Sequence, residues 1–231
     1  MILKGLQKTT LIDFPGKIAC TLFTAGCNFK CGFCQNPSLI SFDSENSIEE
    51  KEIFSFLESR KKWLNGVCIT GGEPTLQKDL PEFCKKIKEK GFLVKLDSNG
   101  SNPEMLKKLI KEKLVDYIAM DIKTSQEKYS DLCGVKVDLE KIKQSIELIK
   151  NSGLDYEFRT TVLPDFFSKE DALKIGEWLK GSKLYVLQQF RNDLPMVDPE
   201  FKNKDPFPPE KLFELKEILE SFFVKVEIRN L

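Results

Sequence analysis

The sequence predicts an α/β protein built on a mostly parallel sheet, and three observations carry that expectation. Its 231 residues, 41% of them hydrophobic, suit one sizeable core and a single domain spanning 1–231. Short apolar runs recur at 18–23, 66–70, 92–96, 117–120, 156–163, 184–187 and 224–228. Such runs read as strands buried on both faces, because helices cover either side of a parallel sheet. Between them lie amphipathic segments with helical punctuation.

Asn102 is placed to cap one helix, with Pro103 at its first position and Glu104 in its first turn. Leu106, Leu109 and Ile110 then form its apolar stripe. Ser168 opens another, with Glu170 and Asp171 near its positive end, Leu173, Trp178 and Leu179 facing inward, and Gly181 just beyond the end. Asp79 and Gly91 bracket a third, whose apolar positions are Leu80, Phe83 and Ile87. The order is a strand–helix unit repeated about six times after a short N-terminal piece that forms a hairpin. Such repeats close wholly or partly into a barrel or open into a doubly wound sheet, and composition does not choose between them. Either way, functional groups belong at the C-terminal ends of the strands.

Charge excludes several classes of function. Lys plus Arg is 36 and Asp plus Glu is 36, so a broad electrostatic grip on nucleic acid or anionic membrane is not expected. No stretch approaches the roughly 18 apolar residues of a membrane span. Gln7-Lys8-Thr9-Thr10 interrupts the start as no signal peptide would be interrupted. A cytoplasmic location follows. There is no His, which removes every mechanism that needs an imidazole. Seven Cys in a reducing compartment argue against a disulfide framework. Cys20, Cys68, Cys84 and Cys133 are scattered singly and read as small buried hydrophobes.

The other three, Cys27, Cys31 and Cys34, lie in a loop directly after a strand, close enough to converge on one metal centre. Structural zinc takes four ligands, generally from paired motifs, and here a fourth would have to be an isolated Cys. A [4Fe–4S] cube held by three thiolates fits better and leaves one iron open. Spacing alone keeps zinc, and three unrelated thiols, as alternatives.

Three further segments end strands. Thr70-Gly71-Gly72-Glu73-Pro74 pairs glycines, which let another molecule approach the backbone, with a carboxylate suited to an ammonium. By itself it also reads as a turn. Asp97-Ser98-Asn99-Gly100 and Asp121-Ile122-Lys123 read alone as a turn and as surface charges. Together, at successive strand ends, they build one convergent polar site.

Cys-x-x-x-Cys-x-x-Cys after the first strand resembles the radical S-adenosylmethionine (SAM) superfamily. Within it, 5–37 resembles the activating proteins of anaerobic ribonucleotide reductase and related glycyl-radical enzymes. The matching residues are Thr10 through Lys17, Phe23-Thr24, Gly26-Cys27-Asn28 and Cys34-Gln35-Asn36-Pro37. Members of that family often carry His at the position of Gln35. The resemblance implies a partial (β/α)6 barrel, a [4Fe–4S] cluster on the three Cys, and cleavage of SAM to methionine and a 5′-deoxyadenosyl radical.

It further implies that Gly71, Gly72 and Glu73 hold the amino group of SAM and Lys123 its carboxylate. Arg159 is then a second anion contact, and Phe33 touches adenine. Asn99 belongs to the same wall, and Asp97, Ser98 and Asp121 lie where a monovalent cation is held, relieving the repulsion of two carboxylates. The segment 188–191 closes around ribose or adenine. The implied protein substrate is a glycyl-radical enzyme, and the implied electron source a low-potential donor such as flavodoxin or ferredoxin. A small-molecule radical SAM enzyme and a non-catalytic metal-binding module are the other two readings.

Overall fold

Strands β2 (Ala19–Thr24), β3 (Gly66–Gly71), β4 (Leu93–Ser98), β5 (Tyr117–Asp121), β6 (Asp155–Val162), β7 (Leu184–Gln189) and β8 (Lys225–Arg229) fall within two residues of the seven apolar runs. In the computed structural model, which describes residues 1–231, these seven pair in parallel and in chain order. Each crossover is helical: α1 (Glu50–Ser59), α2 (Leu80–Glu89), α3 (Pro103–Lys111), the pair α4 (Tyr129–Cys133) and α5 (Leu139–Lys150), α6 (Lys169–Leu179) and α7 (Pro209–Leu219). The expected hairpin is an eighth strand of the same sheet: β1 (Leu3–Thr10) runs antiparallel to β2, with register shifts on either side of its centre. No pairing joins β8 to β1, so the barrel is partial and carries an open seam.

Side chains alternate across a strand, so each strand serves two environments. Outward, Val94, Leu96, Ile118, Met120, Phe158 and Val162 join the helices in a core of 48 buried residues. Inward, a small apolar cluster of Phe14, Ala19, Tyr117 and Ala119 plugs the barrel. Above it the interior is charged. Glu157, fully buried, takes both guanidinium nitrogens of Arg229 at 2.9 and 2.8 Å and the Tyr117 hydroxyl at 2.9 Å.

The helix signals held with one exception. Asn102 Oδ1 accepts the Met105 amide at 3.3 Å, and Ser168 with Asp171 forms a full capping box. Asp79 and Gly91 bracket α2 as expected: Asp79 sits at the N-cap position with its carboxylate paired to the N-terminal ammonium, and Pro81 lies in the first turn. Leu173 does not face inward but is 41% exposed, since Ala172, Ile175, Gly176 and Leu179 already fill the buried stripe of α6.

Candidate active site

At the C-terminal ends of β2 through β8 lies a cavity of about 280 Å³. All three clustered thiols line it, together with Phe33, Gly71, Gly72, Glu73, Asp97, Ser98, Asn99, Asp121, Lys123 and Arg159. The sequence scattered these positions over more than 130 residues; the alternation of strand and helix gathers them on one face.

The cysteine loop leaves β2 and is fastened at once to its neighbours. Gly72 N donates to Thr24 O at 2.8 Å, Glu73 N to Gly26 O at 2.7 Å, and Gly26 N to Leu39 O at 2.8 Å. This explains the paired glycines differently from ligand approach. A Cβ on Gly72 would stand 2.2 Å from Gly26 O, and Gly71 has φ +122 with Thr24 N 2.3 Å from where its Cβ would be. The loop's own backbone claims that space. The Gly72 carbonyl accepts no hydrogen bond within the chain, and Gly72 lines the cavity.

Further along, Asn28 reaches the end of β4: its Oδ1 accepts from Asn99 Nδ2 at 3.0 Å and its Nδ2 donates to Ser101 Oγ at 2.9 Å. Lys30 N donates to Cys133 O at 2.8 Å, which places Cys133 beside the loop. Cys133 is therefore more than an isolated apolar filler. The neighbouring Cys133 thiol, against the effect of burial, lowers the Cys31 thiol; the Lys123 charge acts in the same direction. Burial pushes Cys27 up to about 11 and also raises Cys34. All seven Cys are free thiols, and no three donors converge tightly enough for a single ion, the geometry structural zinc requires. A cube instead offers each thiol its own iron, which suits three donors spread along one loop.

Opposite the loop, the strand ends carry charges that satisfy one another. Arg159 Nε bonds Asp121 at 2.5 Å and its Nη2 bonds Asp97 at 2.9 Å. Lys123 completes Asp121 at 2.8 Å, and Lys95, only 1% exposed, pairs with Asp97. Burial would raise both carboxylates; the Arg159 charge together with Lys123 at Asp121 and Lys95 at Asp97, and the hydrogen bonds these make, outweigh it, and both lie below the usual range. The repulsion expected to call for a monovalent cation is thus met by Arg159, and Arg159 is engaged with carboxylates rather than free for an anion.

Glu73 differs again. It is buried, and burial raises its carboxyl despite four hydrogen bonds: from Thr75 N and Oγ1 (3.2 and 2.5 Å), Ser98 Oγ (2.8 Å) and Asn99 N (2.6 Å). It ties the end of β3 to that of β4. Phe33 is packed rather than open, its ring 6.4 Å from that of Phe201 and 5.9 Å from Lys123 Nζ. Gln35 donates to Arg191 O at 2.9 Å, closing the cavity from the β7 side. Lys95, Asn28 and Cys133 were missed from the sequence. Of these Lys95 left a signal, a Lys at the same strand parity as Asp97, and Asn28 stood within the Gly26-Cys27-Asn28 match of the resemblance.

The chain belongs to the Radical SAM superfamily, whose profile matches residues 21–179, well over half its length. Members are enzymes that use a [4Fe–4S] cluster and SAM. Within that class the chain is 37% identical over 236 residues to a Methanocaldococcus jannaschii protein named, provisionally, as a glycyl-radical enzyme activating enzyme, covering 100% of this chain and 96% of that one. It is 26% identical over 187 residues to the pyruvate formate-lyase-activating enzyme of Clostridium pasteurianum, covering 77% and 75%. In fold it is similar to Streptococcus suis SuiB bound to S-adenosylmethionine, with a TM-score of 0.70 at 15% identity over 90% of this chain and 49% of that one.

Proposed function

We propose that the chain activates a glycyl-radical enzyme, anaerobic ribonucleoside-triphosphate reductase being the leading partner, with electrons from a low-potential donor such as flavodoxin or ferredoxin. The observation that carries this reading is the open seam between β8 and β1. An unpaired side of the barrel would admit a protein loop more readily than it would enclose a metabolite. The likeness to activating enzymes over the whole chain supports the same choice.

In this reading Cys27, Cys31 and Cys34 hold the cluster. The bound cluster and SAM supply a reductively generated radical able to take a hydrogen atom from a glycine Cα. The chain's own residues position and exclude. The Gly72 carbonyl and the Glu73 carboxylate take the ammonium of SAM, Lys123 turns toward its carboxylate, and Phe33 keeps water from the cysteine loop. No side chain has to move a proton, which accords with a chain lacking His.

The test mixes reconstituted protein, reductant, SAM and a candidate glycyl-radical enzyme from the same genome without oxygen. A doublet EPR signal that changes when the partner's glycine is deuterated, with 5′-deoxyadenosine formed alongside, is expected. Conversion of a small metabolite with no protein radical from any genomic candidate would replace this reading with the small-molecule one.

A further inference from the structure

The segment between β7 and α7 folds back across the cysteine loop, and its bonds to that loop fall between Gly32 and Gln35. Val197 N donates to Cys34 O at 3.1 Å, Asp198 N donates to Gly32 O at 2.9 Å, and Arg191 O accepts from Gln35 Nε2 at 2.9 Å. A short 3-10 turn, Pro199–Asn203, then delivers the ring of Phe201 onto Gly32. A Cβ at Gly32 would stand 2.5 Å from that ring and 3.2 Å from Asp198 Cβ. Gly32 is not in the left-handed region, so its backbone does not demand glycine; the seated ring does. Lys204 Nζ lies 5.3 Å from the centre of the Phe201 ring and pairs with Asp165, giving the segment a second fastening.

We infer that Phe201 is a positioning residue for the cysteine loop. Seated in the space Gly32 leaves, it holds the turn from Cys31 to Cys34 in the one shape that offers both thiols to the same cluster. The inference rests on the reading of Cys27, Cys31 and Cys34 as ligands. The turn has a single bond of its own, Cys34 N to Cys31 O at 3.0 Å. Its remaining order therefore comes from neighbours. Removing the ring returns conformational freedom to the turn, and the bound state must then overcome that freedom. Phe33, beside Phe201, loses its packing partner in the same step, and with it the fixed surface under Lys123.

The test is iron release from anaerobically reconstituted full-length protein to an excess of a ferrous chelator, with amide deuterium exchange across 30–35 followed in parallel. Phe201→Ala is expected to release iron about tenfold faster and to lose amide protection, while Phe201→Leu, which refills the space, stays within about threefold of wild type. Gly32→Ala alone should also release iron quickly. Combined with Phe201→Ala it should add little, because the clash it creates has been removed; this non-additivity separates seating from general misfolding. Release at the wild-type rate from Phe201→Ala, or effects of the two substitutions that simply multiply, would overturn the inference while leaving the ligand reading intact. A Cys31→Ala variant that still holds four irons would instead remove the ligand reading, and this inference with it.

Discussion

The two faces of the sheet are held in different ways. On the outer face Phe158 and its neighbours are stabilised by burial against helices, a non-directional term that tolerates small shifts. On the inner face of the same strands, Lys95, Asp97, Asp121, Glu157 and Arg159 are stabilised by pairing, and each depends on a named partner within a few tenths of an ångström. A buried ion pair gains little over a well-packed apolar pair, yet losing one partner is costly. The inner face therefore contributes a fixed geometry, poised beneath the cavity, more than it contributes stability. The outer face does the reverse.

The largest expected effect breaks the outer face. Phe158→Ala should cost about 3–5 kcal/mol of unfolding free energy, read from the urea midpoint, because it opens a cavity in a fully buried layer. SAM affinity of the remaining folded protein should change little, and a large change would mean the faces are not separable.

Arg159→Met comes next, at about 3 kcal/mol near neutral pH, since it removes the cation that Asp97 and Asp121 share and leaves each with a single Lys. It also carries a pH signature. Both carboxylates are held low in the folded protein, so their stabilisation is present above the unfolded value of about 3.9 and is lost as pH falls toward the folded values. In cluster-free protein, acid titration of the urea midpoint should therefore fall steeply in wild type and more gently in Arg159→Met. Parallel curves would show that the pairing does not set the acid limit.

Lys123→Ala touches the rim where the inner face meets the cavity. It should leave iron content unchanged and weaken SAM binding by about 1.5–3 kcal/mol, tenfold or more, measured by titrating SAM against the cluster EPR signal. Unchanged affinity would return Lys123 to a purely structural role beside Asp121. Smallest of all, Cys84→Ala in α2 should cost about 1 kcal/mol and leave the iron at its wild-type level, because this thiol belongs to the outer core. Loss of iron from Cys84→Ala would break the division between faces.

Periodicity made the outer face readable. The apolar runs located every parallel strand, and the capping signals at Asn102 and Ser168 located helix starts, because both are local chemistry. The site was readable as membership, since a repeated strand–helix unit fixes which loops meet. Partnership was not readable. Nothing local says that Arg159 lies between Asp97 and Asp121, or that Gly72 faces the Gly26 carbonyl; those depend on the register of strands far apart in sequence. Leu173 failed for a related reason, as its plausible local role on the buried stripe was taken over by Ala172, Ile175, Gly176 and Leu179.

Strand order is chain order, and this places the parts of the site on a timetable. From β2 onward each strand finds its neighbour across a single helical crossover, so the sheet can grow from its first edge as the chain is made. The three clustered thiols emerge early. Their fastenings at Val197 and Asp198 are encoded roughly 160 residues after Cys34, and at about 5–20 residues per second that is a delay on the order of ten to thirty seconds. During that interval the thiols are exposed on a growing chain with an unfinished roof, which makes synthesis the period when oxygen finds them least protected.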